Sequence, residues 1–111
     1  MAKDILKQAQ AFGQQLEGAL GENLVAFMLY GPAVREEGPG EATTLLILRD
    51  ASPHQLRPIG KLIADWTRKN NPPPLIFAER GWRASSDVFP IEIEEMREAH
   101  LLLKGDDPLE G

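Results

Sequence analysis

Two apolar runs joined by a loop constrain the fold of this chain most. Residues 24–30 (LVAFMLY) and 42–48 (ATTLLIL) carry no charged side chain, and each has the length of a buried strand. The segment between them, 31–41 (GPAVREEGPGE), is rich in Gly, Pro and Glu and is predicted to be a loop. Consecutive strands joined by a loop predict a mixed sheet and exclude a doubly wound dinucleotide-binding fold.

Two main helices are predicted around these strands. Between Asp4 and Leu20 apolar residues recur at steps of three and four, which is the period of one helix face. Ser52 followed by Pro53 is typical of a helix start, and the segment 70–74 (NNPPP) ends that helix. Trp66 falls on the apolar stripe of the second helix and is therefore expected in the core.

The last third of the chain predicts shorter elements. Residues 75–78 (LIFA) indicate a third strand, and 80–88 a short helix capped near Ser85 or Ser86. The alternation in 89–96 (FPIEIEEM) predicts a strand with one polar face. Residues 100–103 (HLLL) form either a buried strand or an exposed apolar edge. We therefore expect an α+β fold with a mixed sheet of four to five strands and two main helices, in one domain over 1–105 followed by a polar tail, 106–111.

Charge and composition exclude several classes of function. The net charge of −5 argues against a nonspecific nucleic-acid binder, because contacts with phosphates need clustered Lys and Arg. No apolar run approaches the roughly 18 residues of a membrane span. The chain has no cysteine, which excludes disulfides and thiolate metal sites and fits a reducing compartment. A cytoplasmic protein that does not bind membranes is expected.

The first strand ends in Leu29-Tyr30-Gly31, and with the element order this resembles the nucleotidyltransferase fold of the polymerase-beta superfamily, in particular its small bacterial members. In that family the first strand ends in Gly-Ser, the second carries two acidic residues two positions apart, and a neighbouring strand carries a third. Residues 85–111 are also similar to members of the family. The resemblance implies Mg²⁺ on the carboxylates, nucleotide phosphate at the Gly-Ser turn, and transfer of a nucleoside monophosphate.

The family motif is degenerate in this chain. Gly31 matches the glycine, but Pro32 stands where the family has serine, so a hydroxyl and a backbone N–H are both missing. Ala42 and Thr44 occupy the two acidic positions, and neither is an anionic metal ligand. Glu92 matches the third carboxylate. A two-metal site needs several anionic oxygens, so this remnant does not suffice for the transfer reaction.

Two hypotheses about function follow from the resemblance. The leading one is a catalytically degenerate domain that serves as a binding or regulatory module. This hypothesis favours a protein that is not an enzyme. It would retain weak nucleotide binding at Gly31 and Arg35 and pair with a helical protein. The alternative is an active Mg²⁺-dependent nucleotidyltransferase acting on a small molecule or a protein. Glu92 and Glu41 would then be metal ligands, helped by the loop residues Glu36 and Glu37.

Arginines around Trp82 form the one local positive spot that the sequence suggests. Arg80 and Arg83 flank this indole, and together with Arg35 they are the first place to expect a bound anion. Trp82 itself either packs beneath the short helix or stacks on a base or a partner surface.

Overall fold

The computed structural model describes residues 3–31, 34, 43–88, 93–94, 96–97 and 99–109. The described elements begin with a long helix and two strands. In chain order these elements are α1 (Lys3–Leu20), β1 (Leu24–Tyr30), β2 (Thr43–Leu48), α2 (Pro53–Leu56), a 3₁₀ turn (Arg57–Ile59), α3 (Gly60–Arg68), β3 (Leu75–Ala78), α4 (Glu79–Val88) and β4 (His100–Gly105).

The described strands form a four-stranded sheet in the order β3-β2-β1-β4. β1 is antiparallel to both of its neighbours, whereas β2 and β3 are parallel. The predicted mixed sheet and α+β fold are thus confirmed. Because β1 runs against the other strands, β2, β3 and β4 all finish at the same end of the sheet, at Leu48, Ala78 and Gly105. We call this the carboxyl end of the sheet; Gly31, after β1, lies at the opposite end.

Helices α1 and α3 cover one face of the sheet. Phe12 of α1 stacks on Trp66 of α3 with ring centroids 4.7 Å apart, and its edge meets Phe27 of β1 at 5.4 Å. Trp66 is 2% exposed, and its indole N–H donates to the carbonyl of Pro72 at 3.0 Å. The predicted core position of Trp66 is confirmed.

The second predicted helix begins where expected but is interrupted. Ser52 has the extended backbone of an N-cap residue, and Pro53 occupies the first turn. Pro58 lies in the 3₁₀ turn that separates α2 from α3. Proline has no N–H to donate to the preceding turn, which explains the local change from α to 3₁₀ geometry.

The other face of the sheet carries a second apolar cluster. From the sheet it contains Ala26, Met28, Leu45 and Ile47, and from the last part of the chain Ile93, Met96 and Leu109. The sheet is therefore covered on both sides, as the continuous apolar runs of β1 and β2 require.

The strand predicted over 89–96 is wrong where the structure describes it. Ile93, Glu94, Met96 and Arg97 are helical. Ile93 and Met96 are buried whereas Glu94 and Arg97 are exposed, which is the i, i+3 spacing of a helix face. The prediction failed because an alternating apolar pattern over a few residues also satisfies part of a helical period.

The helix predicted over 80–88 is longer than expected, and its start lies elsewhere. α4 begins at Glu79, directly after β3, and continues through Ser85 and Ser86 to Val88, so neither serine caps it. The segment 100–103 belongs to β4, which pairs with β1 at the edge of the described sheet. Its residues are half-buried, so the segment is a strand but matches neither the fully buried nor the exposed alternative. Within the described ranges, no helix is long and apolar enough to cross a bilayer.

Candidate functional site

The turn after β1 is the place where the family resemblance predicts nucleotide phosphate. Gly31 has φ +94°, a left-handed conformation that favours glycine, and a Cβ there would lie 3.1 Å from Oγ1 of Thr43. The N–H of Gly31 donates to the carbonyl of Ala99 at 2.9 Å, and its carbonyl accepts from the N–H of Val34 at 3.1 Å. Both backbone groups of this glycine are thus used within the fold.

Thr44, at one of the two acidic positions of the family motif, lies in the hydrophobic core. It is 1% exposed and shares a face of β2 with Leu46 and Leu48, the face covered by α1 and α3. Its hydroxyl has no hydrogen-bond partner among the residues that the structure describes. A carboxylate here would be buried away from solvent, at a cost of several kcal/mol unless a metal or a cation were buried with it.

The other residues of the predicted site lie outside the described residues. These are Arg35, Glu41, Ala42 and Glu92, together with the loop carboxylates Glu36 and Glu37. Within the described part of the chain, no group of three or more His, Asp or Glu side chains is placed to hold a metal ion. Of the residues that the family motif predicts for the nucleotide and metal site, the structure describes two. Gly31 lies in the turn after β1, and Thr44 lies in the core.

A cavity of about 420 Å³ lies on the sheet face opposite α1 and α3. Its apolar wall belongs to the second cluster and contains Val25, Ile47, Trp82, Ile93 and Leu109. Its polar rim comes from α4, the helical residues near 97 and the segment after β4, and contains Glu79, Arg83, Arg97, Asp106 and Asp107. Such a wall with charges of both signs at its mouth suits a small amphipathic molecule.

Trp82 is fixed as a wall of this cavity. It packs edge-on against Phe77 of β3 with ring centroids 5.5 Å apart, and its indole N–H donates to the carbonyl of Pro108 at 3.3 Å. The structure therefore agrees with the packing alternative for Trp82. Residues 106–109 are predicted as part of a polar tail, and no pattern in the sequence indicates that they form the other side of the cavity, where Leu109 is 7% exposed.

A His–Asp pair ties the segment after β4 to the start of that strand. Nε2 of His100 lies 2.8 Å from Oδ2 of Asp107, while Nδ1 of His100 lies 2.9 Å from the carbonyl of Met96. The other carboxylate oxygen of Asp107 accepts the N–H of Leu109 at 2.9 Å. Both side chains are about one-fifth exposed. The pair thus stabilises the turn after β4, and this turn places Leu109 against the sheet.

The environment shifts the pKa of both partners toward the ion pair. Burial alone lowers the pKa of His100, but the hydrogen bond and negative charge of Asp107 and the carbonyl of Met96 outweigh it, so this pKa is raised. Burial alone raises the pKa of Asp107, but the hydrogen bonds from His100 and the N–H of Leu109 outweigh it, so this pKa is lowered.

Several residues that line the cavity lie at the opposite end of the sheet from Gly31. Val25 and Ile47 sit where β1 begins and β2 finishes, and Glu79 follows β3, whereas Gly31 follows β1. Strands of this length separate the two ends by about 20 Å.

No protein-family model matches the chain, and no curated protein matches it either.

Proposed function

We propose that this chain is a non-catalytic binding module with a nucleotidyltransferase-like fold. It binds a small ligand at the carboxyl end of its sheet and transfers no nucleotide. The resemblance extends the proposal to a cytoplasmic protein that works with a helical partner.

The observation that carries the proposal is the engaged amide of Gly31. A phosphate-binding turn offers backbone N–H groups to phosphate oxygens. Here the N–H of Gly31 donates to Ala99 within the fold, and Pro32 has no N–H by its chemistry. A phosphate at this turn would have to break the bond between Gly31 and Ala99 and leave a carbonyl without its donor.

The buried position of Thr44 supports the same proposal. Catalysis of nucleotidyl transfer by two metal ions needs carboxylates that reach the ions and the substrate together. The described strand Thr43–Leu48 contains no carboxylate, and Thr44 is 1% exposed beneath α1 and α3. The side chain at this position therefore serves the core.

Calorimetric titration with ATP and GTP, each with and without Mg²⁺, tests the proposal. We expect that Mg²⁺ does not increase the affinity for either nucleotide, because the described residues include no carboxylate group placed to hold the metal beside the phosphates. Mg²⁺ bound to free nucleotide neutralises phosphate charge, so any weak metal-free binding should become weaker when it is added.

Glu92→Ala and Glu94→Ala provide the matched pair of variants. Glu92 is the carboxylate that the alternative, active-enzyme hypothesis needs, and Glu94 is an exposed carboxylate two positions away. We expect both variants to titrate as the unmodified chain does. Nucleotide binding that requires Mg²⁺ and disappears in Glu92→Ala but not in Glu94→Ala would overturn the proposal in favour of an enzyme.

A further inference from the structure

Three exposed arginines meet in a groove at the carboxyl end of the sheet. The groove has a volume of about 530 Å³ and is lined by Arg49, Glu79, Arg80, Arg83 and Ala84. Leu48 and Ala78 are paired in the parallel β2–β3 ladder, so the residues that follow them leave the sheet side by side. The strand register therefore brings Arg49 next to Glu79 and Arg80, although these residues are distant in sequence.

The groove carries an excess of positive charge. The described residues that line it include three arginines and one carboxylate, Glu79, which is paired with Arg83 at 2.9 Å. In the part of the chain that the structure describes, neither Arg49 nor Arg80 forms an ion pair. The positive charges of neighbouring arginines repel one another, and a bound anion offsets that repulsion. This positive groove contrasts with the net charge of −5 of the whole chain.

Two hydrogen bonds to the segment before β1 hold Arg49 in place. Its backbone N–H donates to the carbonyl of Asn23, and its Nε donates to the carbonyl of Glu22, both at 2.9 Å. These bonds restrict the side chain through Nε, and among the described residues the two terminal nitrogens of the guanidinium make no further hydrogen bond. An arginine positioned in this way loses less conformational entropy when it binds an anion.

We propose that this groove binds the phosphate group of a small phosphomonoester. Guanidinium groups donate paired hydrogen bonds that match the oxygens of phosphate. Three guanidinium groups and one carboxylate leave two net positive charges, which match a phosphate dianion. The first turn of α4, which begins at Glu79, adds positive potential from its backbone N–H groups. The volume leaves room for an organic group besides the phosphate.

This proposal rests on the binding function proposed above in that it names a ligand class for the carboxyl end of the sheet, but it does not depend on the absence of catalysis. The groove follows β2 and β3 at the carboxyl end of the sheet, whereas the nucleotide turn of the family resemblance lies at Gly31. The two proposals can therefore fail separately. The first fails if nucleotide binding requires Mg²⁺ and Glu92, and the second fails if no metal-free binding depends on Arg49 and Arg80.

The test is calorimetric titration with AMP and with orthophosphate at low ionic strength and without divalent metal. We expect saturable binding of AMP, and orthophosphate should compete with it because both present the same dianion. Arg80→Gln and Arg49→Gln should each weaken binding about five- to tenfold, the scale of one solvent-accessible charge-assisted hydrogen bond. Backbone amide shifts on titration should appear at Arg80 and Ala84 and be absent at Gly31.

Arg57→Gln is the matched control, because Arg57 is also exposed but lies in the 3₁₀ turn between α2 and α3. It removes the same charge and should leave AMP binding unchanged. The proposal is overturned if AMP produces no saturable heat. It is also overturned if Arg57→Gln weakens binding as much as Arg80→Gln, since the attraction would then come from overall charge. Thermal unfolding of each variant verifies that all three remain folded.

Discussion

The two threonines at the start of β2 do different things with the same side chain. Oγ1 of Thr43 donates to the carbonyl of Tyr30 next to the Gly31 turn. Oγ1 of Thr44 is buried, and none of the described residues forms a hydrogen bond with it. A buried hydroxyl that makes no hydrogen bond loses its hydration and gains nothing in return, so one residue stabilises the turn and its neighbour destabilises the core.

Thr44→Val is expected to stabilise the protein by about 1 kcal/mol, because it replaces the unpartnered hydroxyl with a methyl group of similar shape. Valine is also favourable in a buried strand. The free energy of unfolding from urea denaturation measures the change. Thr43→Val is the matched control and should destabilise by about 1 kcal/mol, since it leaves the Tyr30 carbonyl without its donor. If Thr44→Val proved as destabilising as Thr43→Val, the hydroxyl of Thr44 would have a partner in solution.

At the scale of elements, the sequence predicted what local periodicity determines. The helix Lys3–Leu20 and the strands over 24–30 and 43–48 lie where their apolar patterns placed them. The failure at 93–97 came from a short segment in which Ile93 and Met96 serve a helix face. Over so few residues a helical period and a strand period place apolar side chains at similar positions, so packing against the sheet decided between helix and strand.

The His100–Asp107 pair joins β4 to the segment that follows it, and it predicts how stability depends on pH. The raised pKa of His100 contributes stability that is present below its usual pKa near about 6.5 and is lost as pH rises through the folded value. The lowered pKa of Asp107 contributes stability that is present above its usual pKa near about 4 and is lost as pH falls through the folded value. The pair therefore stabilises most between these two limits.

We expect the unmodified protein to be more stable near pH 5.5 than near pH 8.5, and Asp107→Asn to remove about 1 kcal/mol of that difference. The measurement is urea denaturation at both pH values. Asp106→Asn is the control, because Asp106 is the neighbouring carboxylate and is exposed. An identical pH profile in Asp107→Asn and the unmodified protein would exclude the ion pair as the cause.

At the scale of the whole molecule, the sheet separates two apolar clusters, and the second depends on the end of the chain. The first is built from α1, α3 and the sheet, whose patterns are evident in the sequence. The second includes Leu109, which stands alone among polar residues in sequence and is 7% exposed in the fold. The C-terminal segment thus contributes to the domain although its composition predicts a tail.

Leu109→Ala should destabilise the protein by about 2 to 3 kcal/mol, the range for truncating a buried leucine where the site relaxes in part. Leu75→Ala is the matched control: the same substitution at a side chain that is 45% exposed on β3 should cost less than about 1 kcal/mol. Chemical denaturation of both variants gives the comparison. Equal losses in the two variants would mean that Leu109 is not part of the core in solution.

The sequence by itself determined the first long helix, the start of the second, the strands of the apolar runs and the mixed sheet, because these follow from periodicity and loop chemistry within short segments. Under the resemblance to nucleotidyltransferases, it also predicts that Ala42 and Thr44 stand at two positions that are acidic in that family. Only the tertiary structure decided that the Gly31 amide meets Ala99, that His100 meets Asp107, and that Arg49 lies beside Arg80. Those encounters depend on strand order, direction and register, which are set by packing between segments distant in sequence.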